Sequence, residues 1–162
     1  MKIGVISDTH IAGAKCEIDP NVFSILDGCD LIIHAGDLID ICVIECLEKI
    51  AKVEAVHGNM DTAGTKDMLP DKKVLTLENK KICIMHGHGH PKNIVHILEE
   101  EFLKEKPDIV IFGHSHMPMN EEINGVLYFN PGSATDIVFA PYRSIGIIEL
   151  SKNNIKAEIK RL

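Results

Sequence analysis

The sequence is short of the positive charge that grips nucleic acids. Only two of its 17 basic residues are arginine, Arg143 and Arg161, no Lys/Arg-rich patch is interleaved with aromatics, and the net charge is −7. That balance argues against stable nucleic-acid binding. No apolar run approaches the roughly 18 residues of a membrane span, and the opening MKIGVISDTH has no small-residue cleavage site. The expected setting is therefore the cytoplasm, with no membrane partner. The five cysteines, at 16, 29, 42, 46 and 83, contain no CxxC pair and are scattered along apolar segments, which reads as reduced thiols. Cys42 and Cys46, spaced i,i+4 on an expected helix, read as a core face, because a soft-metal site needs more ligands. Neither GxGxxG nor a GxxxxGK-Ser/Thr loop occurs, so a nucleotide-binding regulator lacks support. Repeats, low-complexity tracts and linkers are missing too, and 45% hydrophobic content over 162 residues suits one domain, residues 1–162. These features leave a homodimer open.

What is present is a rhythm of apolar, β-branched runs: KIGVIS (2–7), DLIIHAG (30–36), KVEAVHG (52–58), KICIMHG (81–87) and DIVIFGH (108–114). Helix-compatible segments separate most of them, namely 21–28, 39–51 and 91–106. Alternation of this kind predicts right-handed βαβ units with helices covering the sheet. The C-terminal half differs. Asn124-Gly125 and Asn153-Asn154 each lie between extended runs, hairpin signals that predict a second, largely antiparallel sheet. A further hairpin is expected to turn at Asn79-Lys80.

Each parallel-type strand then ends in a possible metal ligand. The tips are Asp8-Thr9-His10, Gly36-Asp37, Gly58-Asn59, His86-Gly87-His88 and Gly113-His114-Ser115-His116. In α/β sheets ligands bind beyond the carboxyl ends of the strands, so tips distant in sequence should converge. On an extended chain residues i and i+2 share a side, which would aim Asp8 with His10, and His114 with His116, at one centre. Two carboxylates (Asp8, Asp37), four imidazoles (His10, His86, His114, His116) and the amide of Asn59 suit Mn²⁺, Fe, Ni²⁺ or Zn²⁺ better than Ca²⁺ or Mg²⁺. Seven ligands are too many for one ion. Two ions sharing Asp37 would use them all, and ions about 3.5–4 Å apart are the usual apparatus of displacement at phosphorus. His34 and His57, expected within strands, and His90 and His96, expected on a helix, read as ordinary core or surface residues.

At these residues the chain resembles the calcineurin-like metallophosphoesterases, whose blocks D-x-H, G-D, G-N, a lone H and G-H-x-H all appear here in order between Asp8 and His116. The MKIGVISDTH start, His86-Gly87-His88 and Asn130-Pro131-Gly132-Ser133 are similar to the small YfcE-type phosphodiesterases of bacteria and archaea. The resemblance implies an α/β fold, a four-layer α/β/β/α sandwich of two mixed sheets flanked by helices. It assigns one metal to Asp8, His10, Asp37 and His116 and a second to Asp37, Asn59, His86 and His114. Mn²⁺ or Ni²⁺ is the leading pair, with Fe or Zn²⁺ also fitting. A metal-bridging hydroxide would attack a small phosphodiester in line. Asn59 and His88 are the expected substrate contacts. Larger members carry a proton-donating His after G-N, whereas this chain has Met60, which leaves His88 as the nearest stand-in for the catalytic acid. Asp61 reads as a supporting or capping residue. The alternative is a metal-binding interaction scaffold of the retromer-subunit type, a protein of this fold with a degraded metal site; here every ligand is intact.

Overall fold

Val and Ile, stiff at χ1, pack well on a pleated surface and favour strands. In the computed structural model, which describes residues 1–13 and 16–162, the Ile- and Val-rich runs become buried strands. The strands are β1 (Lys2–Ile6), β2 (Leu31–His34), β3 (Lys52–Ala55), β4 (Lys72–Leu77), β5 (Lys80–Met85), β6 (Ile109–Ile111), β7 (Met119–Ile123), β8 (Val126–Asn130), β9 (Ser144–Ser151) and β10 (Asn154–Arg161). They form two mixed five-stranded sheets, in the orders β10-β9-β1-β2-β3 and β4-β5-β6-β8-β7. The helices are α1 (Pro20–Leu26), α2 (Cys42–Leu47), α3 (Ala63–Met68) and α4 (Ile94–Glu101).

Alternation along β1 shows how the layers are made. Ile3 joins Ile33, Ile82, Ile84, Ile109 and Ile111 between the two sheets. Ile6, on the opposite face, packs with Val22 and Leu26 of α1 and Val43 and Leu47 of α2. The outer face of the second sheet is closed by Ile94 and Leu98 of α4 with Phe102 just beyond it. The result is the expected four-layer α/β/β/α sandwich. Burying each such side chain is worth roughly 1.5–3 kcal/mol.

The arrangement corrects the sequence reading in three places. The second sheet is not a C-terminal antiparallel unit, because β5 and β6, read there as continuing the parallel set, belong to it, while β9 and β10 join the first sheet beside β1. The reason is that β9 is apolar on both faces. Ile148 and Leu150 enter the inter-sheet core and Ile145 and Ile147 enter the helix-side core, a pattern that demands a central position. Second, the β4–β5 hairpin turns at Glu78-Asn79, both left-handed at φ 49° and 63°, one residue earlier than expected. Asn, which tolerates that region, takes the second turn position. The β9–β10 turn is likewise at 152–153. Third, α3 was not expected, because its AGTKDM sequence has no apolar stripe; it starts at Thr62, whose hydroxyl accepts from Thr65 N–H at 3.2 Å.

Candidate metal centre

The strand tips of both sheets meet at one edge, but not through extended chain. Asp8, His10, Asp37, His114 and His116 all have left-handed backbones, with φ between 49° and 65°. Such conformations are uncommon for residues with a side chain and cost on the order of 1–3 kcal/mol each. Asp8 and His10 therefore converge, with His116, because the chain curls at each of them, whereas His114 turns away to Asn59 and Gly89, which corrects the simple i,i+2 argument. Close approach adds a second demand. A Cβ on Gly58 would fall 2.2 Å from Asp37 Oδ1, and one on Gly113 1.9 Å from Ser7 Oγ, so both positions require glycine.

Two interlocking groups result, Asp8–His10–His116 and Asp8–Asp37–His86, each with ligand atoms within 4.8 Å of one another. His116 Nε2 is 3.3 Å from Asp8 Oδ1 and 3.2 Å from His10 Nε2. Asp37 Oδ2 stands between the groups, 3.2 Å from His86 Nε2 and 3.9 Å from His10 Nε2. Asn59 and His114 pair beside them, Oδ1 to Nδ1 at 3.1 Å, with the His114 ring 5.4 Å from that of His86. The donor set fits divalent cations on a further ground. Asp8 Oδ1 and His86 Nε2 are buried without a hydrogen-bond partner, a costly state for polar atoms unless something else coordinates them.

The neighbouring groups orient these atoms. His86 Nδ1–H donates to Ala35 O at 2.7 Å, leaving Nε2 as the free lone pair. His116 Nδ1–H donates to Asp136 Oδ2 at 2.5 Å, which turns its Nε2 toward Asp8. Met60 N–H donates to Asp37 Oδ1 at 2.7 Å. Asp61 accepts from Gly58 N–H and Ile39 N–H, both at 2.6 Å, and so ties two tip loops together as a supporting residue. Asn130 and Ser133 do more than turn the chain. Asn130 Nδ2 donates to Gly113 O at 2.8 Å and Ser133 Oγ to Asp8 O at 2.7 Å, clasping tips from both sheets. Sequence reasoning missed Asp136 altogether, since it follows no strand and belongs to no motif; only its place after Ser133 hinted at the site.

The other expected residues are spread out. His88 is exposed and lines a cavity of about 230 Å³ with Asn59, His86, His57, Lys66 and Asp71. His57 lies past the end of β3 rather than within it, and His90 caps a short 3₁₀ turn instead of riding α4. His34 is buried in β2, accepting from Gly36 N–H on Nδ1 and bonding Thr9 Oγ1 through Nε2. Burial pushes its pKa down to about 4, so it is a neutral structural imidazole. Cys42 and Cys46 pack with Cys16 against the helix-side core, as expected for a core face.

The buried carboxylates favour a proton on the imidazoles beside them. The Asp8 carboxylate 3.3 Å away raises His116 to about 9, burial opposing and Asp136 reinforcing. Burial lowers His86, but Asp37 and Asp8 outweigh it and the net shift is upward. A raised histidine stabilises the fold fully below its unfolded value of 6.5 and loses that contribution as pH rises through its folded value, here about 9. Chelator-treated protein should therefore melt at progressively lower temperature from pH 6.5 to 9, and Asp136→Asn should shrink that slope; scanning calorimetry across the range checks both.

This fold, with its ligand-bearing tips, defines a calcineurin-like phosphoesterase. Residues 1–153 match the calcineurin-like phosphoesterase superfamily domain, and the chain belongs to that family. A probable metallophosphoesterase of Methanothermobacter thermautotrophicus is 34% identical over 161 residues, covering 99% of this chain and 92% of its own. Among solved structures, an archaeal phosphodiesterase matches with a TM-score of 0.76 at 27% identity over 99% of this chain and 100% of that one. Vps29 of Entamoeba histolytica complexed with zinc reaches 0.76 at 24% identity over 99% of each chain, a likeness of fold. No helix among the described residues is long and apolar enough to cross a membrane.

Proposed function

We propose that residues 1–162 act as one domain that hydrolyses small phosphodiesters with two divalent transition-metal ions at the strand tips. Asp8, His10, Asp37 and His116 hold one ion and Asp37, Asn59, His86 and His114 the other, with Mn²⁺ or Ni²⁺ preferred over Fe or Zn²⁺. The observation that carries the reading is the pair of buried, unpartnered atoms Asp8 Oδ1 and His86 Nε2 inside the two ligand groups. Ions bound there would acidify a water for in-line attack at phosphorus and neutralise the phosphate oxygens, which matters in a chain with two arginines. The protein's own share is positional. Ala35 O and Asp136 fix the tautomers of His86 and His116, and Met60 N–H holds Asp37 in place. Asn59 and His88, on one cavity wall with His86, are the substrate contacts, and His88 is the candidate proton donor to the leaving group. A cytoplasmic setting and the lack of a stable nucleic-acid complex complete the reading.

Elemental analysis after Mn²⁺ loading and desalting should find about two ions per chain. A reproducible content of one or none would sink the dinuclear reading. A second reading, the interaction scaffold, is favoured by the fold likeness to Vps29. It predicts metal uptake with no turnover in a screen of phosphodiesters, phosphomonoesters, cyclic nucleotides and nucleic acids, whereas the enzyme reading predicts diester turnover.

A further inference from the structure

Nine large apolar side chains are exposed among the described residues, and five of them either adjoin a ligand candidate in sequence or lie on the loop that hydrogen-bonds one. Met60 follows Asn59 and donates its backbone N–H to Asp37, and Met117 follows His116. The other three are consecutive, Ile137, Val138 and Phe139, at 80%, 75% and 79% exposure. An apolar triplet on a loop is ordinarily tucked under or left loose, and this loop is neither. The Asp136 carboxylate accepts from Val138 N–H at 2.7 Å, Phe139 N–H at 3.1 Å and Ala140 N–H at 3.1 Å, which holds the triplet in one conformation facing water. The same carboxylate accepts from the His116 ring. The backbone of the triplet is thus two hydrogen bonds from a metal-ligand candidate.

Ordered, exposed apolar surface of this kind marks a binding site, and its continuity with the ligand cluster says what binds. The polar cavity with His88 and Lys66 lies on the Asn59–His86 side, and the apolar loop lies on the His116 side. We infer that Ile137, Val138 and Phe139 form a subsite for an apolar, preferably aromatic, ester group of the phosphodiester, the arm that does not leave. The inference rests on the phosphodiesterase reading and makes the enzyme selective for diesters with one hydrophobic substituent.

The test holds the leaving group constant. With Mn²⁺-loaded protein, kcat/KM for phenyl 4-nitrophenyl phosphate is compared with that for methyl 4-nitrophenyl phosphate. In parallel, calorimetry compares binding of methyl phenylphosphonate and methyl methylphosphonate, in which methoxide is too poor a leaving group for fast turnover. Wild type should prefer the phenyl compound about tenfold in both arms, the scale of burying part of one ring. In the Ile137→Ser/Val138→Ser/Phe139→Ser variant both ratios should fall to near one, and Phe139→Leu should keep most of the preference. Ratios near one in wild type, or ratios that survive the triple substitution, overturn the subsite. So does a triple variant that changes only its sedimentation from dimer to monomer, because the loop then meets a second copy. Should wild type cleave neither diester, the phosphodiesterase reading fails, and the calorimetric ratio still decides whether the loop selects an aromatic group.

Discussion

Asp37→Asn should lower phosphodiester turnover by on the order of a thousandfold while the protein stays folded. Asp37 Oδ2 lies between His10 and His86 at 3.9 and 3.2 Å, the position from which one carboxylate reaches both ligand groups. The amide removes the negative charge that would balance two cations, at a place where burial keeps solvent from compensating. It retains an oxygen able to accept from Met60 N–H, so the loop it anchors should survive. Activity is measured at saturating Mn²⁺, with circular dichroism to verify folding. A variant keeping more than a tenth of wild-type activity would show that Asp37 is not the shared ligand. His96→Gln on α4, exposed and paired with Glu99 and Glu100 rather than with any ligand candidate, is the control that should leave metal content unchanged. His34 is unsuitable for that purpose because it holds the Thr9 and Gly36 loops.

The second large effect concerns the proton that the leaving group needs. Met60 occupies the place after Gly58-Asn59 where a donor histidine is expected by resemblance, and it is exposed, with no proton to give. General acid catalysis contributes about 10²–10⁴-fold, so without a donor the rate should depend steeply on how well the leaving group bears charge. Aryl diesters of graded leaving-group pKa should then differ by orders of magnitude, and alkyl diesters should be cleaved far more slowly. His88 shares a cavity with Asn59 and His86, which makes it the residue to remove. A steep dependence that His88→Ala leaves unaltered means cleavage without a protein acid. A shallow dependence in wild type that becomes steep in His88→Ala identifies His88 as the acid. A flat profile in both proteins would mean that another step limits the rate.

The alternation of β-branched runs with helical segments, and the five tips they end in, were legible because both are local: propensity and spacing act within a few residues. From them followed the helix-covered strands and the seven ligand candidates, and the resemblance those candidates carry implied the four layers and the family. What no local pattern carries is which strand stands beside which. Strand β9 had to find a place where both of its faces are buried, and that place, next to β1, exists only once the two sheets pack. The same holds at the centre. Five ligand candidates adopt left-handed backbones, uncommon for any residue with a side chain though least so for Asp, Asn and His, and Asn130, Ser133, Asp61 and Asp136 reach in from elsewhere in the chain to hold the loops. The sequence by itself determined the chemistry available, through the side chains at each strand end. The tertiary structure alone decided their aim, because strained backbone persists only where long-range hydrogen bonds over-determine it, and those bonds join residues separated by up to 125 positions.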